Sequence, residues 1–175
     1  MNTKRNFSRR RFLAGSTAAA AFTIVPIHVL GAPGKPGAND RLNVASVGVG
    51  GMGSRDVRQV PTENVVAICD VDSNRAAAAA KPFPKAKLYA DFRKMLDAQK
   101  DIDAVMVATP DHNHAVVAVA AMKAGKHVFC QKPLAHSVYE ALEMAKTAQQ
   151  AKVATQMGNQ GQAGEGARLI CEHIW

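Results

Sequence analysis

The hexapeptide Gly48-Val49-Gly50-Gly51-Met52-Gly53 constrains this chain more than any other feature. It follows a short β-prone run, residues 42–47, and precedes residues 54–60, which read as helix. Glycines spaced G-x-G-x-x-G between a strand and a helix mark a dinucleotide-binding turn. Gly48 permits the tight turn, and Gly50 lets backbone N–H groups approach a pyrophosphate. Gly53 lets helix and strand pack closely, while the helix N-terminus supplies partial positive charge. Gly51 and Met52 complete the cradle. The competing reading is a glycine-rich turn of purely structural use.

A second β-prone run, Asn64–Cys69, ends at Asp70, 22 residues after Gly48. A carboxylate at that distance is expected to accept hydrogen bonds from the adenosine ribose hydroxyls. It would also repel a 2′-phosphate, so NAD is favoured over NADP. Arg75 stands close enough to leave NADP open. Asp72 is the rival acid, and its more economical role is to cap a helix at Ser73–Ala80.

The alternation continues to the end of the chain. Pro82 stops the Ala-rich helix, since proline cannot continue it. Leu88-Tyr89 is a weak third strand and residues 92–99 a helix. Residues 104–108 are almost wholly apolar, as in a central parallel strand buried on both faces. A helix is expected over about 114–124 with Gly125 as its C-cap, then strand 127–130, helix 137–151 and strand 153–156. Six strands alternating with helices predict a doubly wound α/β parallel sheet of the Rossmann type, with ligands at the carboxyl ends of its strands.

Composition agrees and excludes alternatives. The 175 residues suffice for one domain with a sizeable core. Cys69, Cys130 and Cys171 cannot all pair and match no zinc spacing, so a disulfide scaffold is excluded. Of the formal net charge of +8, five charges come from Lys4, Arg5, Arg9, Arg10 and Arg11. The nearly balanced remainder, with 5% aromatic residues overall, lacks the basic stripe and stacking platform that nucleic-acid binding needs.

Those five cations open a leader. Residues 12–30 are apolar, Ala-rich and free of Lys, Arg and acidic side chains. A charged start followed by an apolar run is the layout of an export signal. Its core, Ser8-Arg9-Arg10-Arg11-Phe12-Leu13, resembles a twin-arginine signal. Residues 1–31 are therefore expected to engage the twin-arginine translocation machinery, with cleavage after Gly31 or Ala32. Export carries the folded protein to the periplasm or the extracellular space. The alternative is an uncleaved single membrane anchor, although Pro26 and His28 interrupt the span. Residues 32–40, rich in Gly and Pro, read as a linker.

Two carboxyl-end loops are chemically loaded. Thr109-Pro110-Asp111-His112-Asn113-His114 follows the buried strand. Its Asp and two His invite a metal reading, but no partner cluster of ligands is visible and no metal site is expected. Asp111 or Asn113 capping a helix is the simpler account. In Cys130-Gln131-Lys132-Pro133-Leu134, a lysine would sit above the sheet, either near a nicotinamide ring or simply solvated.

Together these segments, from about Leu42 to Trp175, resemble the Gfo/Idh/MocA oxidoreductases, the family of glucose–fructose oxidoreductase and inositol dehydrogenase. The resemblance rests on Val47 through Gly53, Cys69-Asp70-Val71-Asp72, Ala108 through His114, and Gly125 through Leu134. It implies that Lys132 is the catalytic lysine of a Glu-Lys-Pro signature, reaching the reacting hydroxyl or carbonyl of a sugar or polyol beside the cofactor. It implies that Thr109, Pro110 and His114 line the cofactor, and that Met157-Gly158-Asn159-Gln160-Gly161 lies between cofactor and substrate. The family's glutamate is Gln131 here, which removes a carboxylate beside Lys132.

On this reading residues 41–160 form the NAD(P)-binding domain, and 161–175 begin the connection to a second, α+β substrate domain. The chain stops within an expected helix from Glu165, so it reads as a truncated product or a fragment. Such a fragment would be inactive alone, and homo-oligomerisation of a full-length form stays open. Three functions are carried forward. The first is an exported oxidoreductase of CH–OH groups. The second is a relative that cleaves glycosidic bonds with no net redox change, and the third is a nucleotide-binding fragment.

Overall fold

The computed structural model of the chain describes Gly37 and residues 40–174. The expected export signal and most of the expected linker lie outside these residues. Residues 41–174 form one compact unit around a six-stranded sheet. Its strands are β1 (Asn43–Val47), β2 (Asn64–Cys69), β3 (Lys87–Tyr89), β4 (Ala104–Val107), β5 (His127–Gln131) and β6 (Thr155–Gly158). They lie in the order β3-β2-β1-β4-β5-β6 with every neighbouring pair parallel. This is the doubly wound Rossmann order, which reverses direction between β1 and β4.

Among the described residues seven α-helices connect or follow the strands: α1 (Met52–Asp56), α2 (Ser73–Ala80), α3 (Phe92–Ala98), α4 (His114–Lys123), α5 (Val138–Ala151), α6 (Gln160–Ala163) and α7 (Glu165–Ile174). Two cores result, one on each face of the sheet. On one face, Ala45, Val47, Ala67, Cys69, Val105, Val107, Val128 and Cys130 pack against α3, α4 and α5. On the other, Val65 and Ile68 meet Val57 and the α2 alanines Ala76 and Ala79. The central strands are buried on both faces, which is why 104–107 carries no alternation of polar and apolar residues. Full burial of side chains the size of Ile68 or Val105 contributes about 1.5–3 kcal/mol each.

Local chemistry sets most boundaries. Asp72 caps α2, accepting from Asn74 N and Arg75 N. Asp91 does the same for α3 at Arg93 N. Ser137 and Glu140 form a reciprocal capping box at the start of α5. Gly125 follows α4 with φ 74°, the left-handed conformation expected of a helix stop.

Departures from the sequence reading are small and have tertiary causes. The helix expected over 54–60 starts earlier, is five residues long, and tightens into a 3-10 turn at Val57–Gln59. A second 3-10 turn, Asp111–Asn113, precedes α4, and no side chain caps that helix. Strand β6 runs Thr155–Gly158 rather than 153–156. Lys152 ends α5 in the left-handed conformation, Val153 and Ala154 complete the turn, and pairing of Thr155 with Val128 sets the register. Helix α6 was not expected; α7 begins at Glu165 as the sequence suggested.

Two of the three cysteines belong to the core strands. Burial pushes the thiols of Cys69 and Cys130 from 9.0 up to about 12, and Cys69 also faces the carboxylates of Asp91 and Asp70. Because the folded state holds these protons more tightly, their contribution is complete below pH 9 and is lost as pH rises from 9 towards 12. In urea unfolding across that window, Cys130→Ala is expected to fall in stability less steeply than the unmodified chain. The slopes should differ by about 1.4 kcal/mol per pH unit. Equal slopes would show that this thiol does not carry the effect.

Candidate functional site

The reversal of strand order opens a crevice at the carboxyl ends of β1, β2 and β4, where ligands bind in sheets of this kind. A pocket of about 600 Å³ lies there. Gly48, Gly50, Asp70, Thr109 and Pro110 are among its walls, joined by Arg75, Arg93 and Asn113. Of the residues expected to touch a cofactor, these five line the pocket. Gly51, Met52, Gly53, His114 and Lys132 lie outside its walls.

The glycines divide into two kinds. A Cβ on Gly48 would sit 2.7 Å from Ala108 C, Ala108 O and Thr109 N, and φ is +79° there. A Cβ on Gly53 would run into Gly48 O. These two glycines are required for the chain to pack against itself. At Gly50 a Cβ would meet only the flexible end of Arg75, so bareness at this position serves something other than the fold. A pyrophosphate in van der Waals reach of the backbone fits that space.

Asp70 is fixed from both sides. Oδ2 accepts from Val49 N at 2.8 Å and Oδ1 from Asp72 N at 2.9 Å. The carboxylate thereby ties the end of β2 to the glycine loop, and each oxygen keeps a lone pair for a ribose hydroxyl. Thr109 lines the opposite wall; its Oγ1 is buried and, among the described residues, has no hydrogen-bond partner, a cost that a ligand reaching it would remove. An open glycine, a pre-oriented carboxylate and an orphaned hydroxyl fit a dinucleotide.

His114 corrects the expectation of direct cofactor contact. Its side chain is 1% exposed, with Nδ1 2.7 Å from Pro133 O and Nε2 2.8 Å from Thr109 O. Each nitrogen faces a backbone carbonyl of one of the two chemically loaded loops, and the one that carries the proton donates to it. The ring holds those loops together from beneath.

Lys132 projects from the second of these loops and is exposed. Its backbone is held firmly. Lys132 N donates to Gln131 Oε1 at 3.0 Å, and the peptide bond to Pro133 is cis. Gln131, 4% exposed, donates through Nε2 to Asp56 Oδ2 at 2.7 Å. Gly158 walls this amide, since a Cβ there would lie 2.9 Å from the Phe129 ring and 3.0 Å from Gln131. The neutral residue at 131 thus has a carboxylate as its partner, on the helix of the glycine loop. Sequence reasoning missed Asp56, because 75 residues separate the pair and no local spacing announces it. Among the described residues no three His, Cys, Asp or Glu side chains converge as metal ligands.

This geometry agrees with comparison to known proteins. The profile of the oxidoreductase family with an NAD-binding Rossmann fold, GFO_IDH_MocA, matches residues 42–159. The chain belongs to the Gfo/Idh/MocA family. Inositol 2-dehydrogenase of Salmonella typhimurium is 39% identical over 99 residues, covering 54% of this chain and 29% of that protein. The crystal structure of myo-inositol 2-dehydrogenase from Lactobacillus plantarum superposes with a TM-score of 0.70 at 29% identity, over 77% of this chain and 41% of that one. GenD2 from gentamicin A biosynthesis, solved in complex with NAD, gives a TM-score of 0.62 at 30% identity, over 67% of this chain and 34% of that one. The chain therefore matches less than half the length of these relatives. Family membership makes NAD the cofactor of this chain.

The two kinds of glycine should separate in experiment. Gly48→Ala is expected to lose more than about 2 kcal/mol in urea unfolding, from left-handed backbone and overlap together. Gly50→Ala should keep its stability within about 1 kcal/mol yet bind NAD at least roughly tenfold more weakly by calorimetry. Undiminished NAD affinity in Gly50→Ala would show that the open glycine is not a ligand position.

Proposed function

We propose that this chain is the cofactor domain of an exported oxidoreductase that oxidises a CH–OH group of a polyol or sugar with NAD. The observation that carries the reading is Asp70. A carboxylate held by two backbone N–H groups at the end of β2 faces the pocket beside an unobstructed Gly50. The polyol class is supported by the inositol dehydrogenases among the relatives. The twin arginines and apolar run of residues 1–31 support export.

The bound nicotinamide supplies hydride acceptance. The chain's own part is binding, orientation and proton handling. Asp70 fixes the ribose, the glycine loop seats the pyrophosphate, and the Thr109 hydroxyl meets the cofactor on the opposite wall. At the substrate, Lys132 Nζ, once its own ammonium proton has passed to solvent, takes the hydroxyl proton as the carbinol is oxidised, and returns it in the reverse direction. The bonds at Lys132 N and Pro133 O fix the base of that side chain while leaving its end free to reach. Asp56, through Gln131, holds the same turn from the cofactor side.

Calorimetric titration with NAD and NADP tests the cofactor half. NAD should bind more tightly than NADP, and Asp70→Ala should weaken NAD by roughly tenfold or more and erase the preference. A folded chain that binds neither nucleotide would leave the glycine loop as a structural turn. The catalytic half is tested in a preparation that oxidises a polyol. There Lys132→Ala should lower turnover by about 10²–10⁴ with little change in NAD affinity; undiminished turnover would remove Lys132 from the mechanism.

A further inference from the structure

We propose that Asp56 is a positioning residue for Lys132, acting through Gln131, and that positions 56 and 131 require one carboxylate and one amide rather than a particular residue at either. The inference rests on the reading of Lys132 as the proton-handling residue. It adds what keeps the base of that side chain in one place.

Gln131 is the last residue of β5 and is 4% exposed, so both ends of its amide need partners. Oε1 accepts from Lys132 N at 3.0 Å, and Nε2 donates to Asp56 Oδ2 at 2.7 Å. The first bond sets the direction in which the backbone leaves the strand towards the lysine. The second decides whether the first can form. Turned end for end, the amide would present its NH2 to Lys132 N, donor against donor. Asp56 prevents that flip, because a carboxylate only accepts. Gly158 closes another side: it pairs with Gln131 across the sheet, and a Cβ there would lie 3.0 Å from Gln131 Cδ and Oε1.

Local structure makes no other use of this carboxylate. Asp72 and Asp91 each cap a helix. Asp56 ends α1 and opens the following 3-10 turn, yet its side chain caps nothing. Among the described residues it makes no ion pair. The bond to Gln131, across 75 residues, is the role left to it, and a bond to a charged acceptor is of the stronger kind. A second acid at 131 would face the first within hydrogen-bond distance, where two carboxylates must share a proton or separate.

The test follows protection of the Lys132 amide against hydrogen exchange by NMR in the full chain, with NAD affinity by calorimetry. Turnover is measured in a preparation that oxidises a polyol. Asp56→Ala is expected to cut Lys132 protection by about tenfold or more and to lower kcat by about 10–100-fold. NAD affinity and protection elsewhere in the sheet should stay close to those of the unmodified chain. Gln131→Glu, although it restores the family's acid, should lose protection as pH rises between about 5 and 8, as the shared proton leaves. Asp56→Asn combined with Gln131→Glu moves the acid to the strand and the donor to the helix, and should recover protection and turnover together. No gain in this double variant over Gln131→Glu overturns the proposal, and that comparison decides even where Asp56→Ala does not fold. Unchanged Lys132 protection in a folded Asp56→Ala overturns it too. Lost protection with unchanged kcat, or a loss spread evenly over the sheet, would make the pair merely structural and overturn the positioning role. Undiminished turnover in Lys132→Ala would instead overturn the reading of Lys132 and this inference with it.

Discussion

The turn after β1 meets the turn after β4 at bare glycines. A methyl group on Gly48 would overlap three backbone atoms of Ala108 and Thr109, and one on Gly53 would overlap Gly48 O. The turn after β1 can therefore lie directly on the turn after β4 only because both positions are bare. That contact lets Gly48 N reach Cys69 O while Ala108 N reaches Val47 O, so β1 pairs to its end with β2 and β4. It also brings the glycine loop and the Thr109 loop to opposite walls of one crevice. Strand order, sheet closure and pocket all depend on this close approach.

The charged groups around the crevice are held by local structure. Asp70 receives two backbone N–H groups, so its charge is partly compensated before a cofactor arrives. Its orientation is set by the fold at no cost to binding, which is the physical content of preorganisation. Asp72 caps a helix and steadies Arg75; Asp91 caps another and steadies Arg93. This side of the crevice is thus built from carboxylates that local structure already required.

The lysine turn is organised by a different principle. Its anchors are the adjacent Gln131 at the end of β5 and two residues from other elements, His114 at the start of α4 and Asp56 on α1. The Gfo/Idh/MocA family motif led to Lys132, with Gln131 standing where the resemblance implied a carboxylate. The tertiary structure supplies a carboxylate one residue removed, on the partner of that amide. A mechanical consequence is that the helix opening at the glycine loop is bonded to the strand that leads to the lysine.

Element type and order were legible without coordinates because their causes are local. Apolar runs of strand length, helix caps at Asp72 and Ser137, and the left-handed stop at Gly125 each act within a few residues. The spacing from Gly48 to Asp70 reflects one strand–helix–strand unit, so the acid at the end of β2 was legible too. Strand β6 was placed two residues early because β-propensity favours Val153, whereas pairing with β5 begins at Thr155. The role of His114 escaped for a similar reason: adjacency to the Thr109 loop suggests ligand contact, and only packing shows both nitrogens turned to carbonyls. Sequence alone determined that this chain makes a doubly wound sheet with a dinucleotide turn at its switch point. Tertiary structure alone decided which glycine opens to the crevice, which arginine lies over it, and which carboxylate holds the lysine turn. Those answers depend on groups brought together from across the chain, and chain spacing carries no record of such meetings.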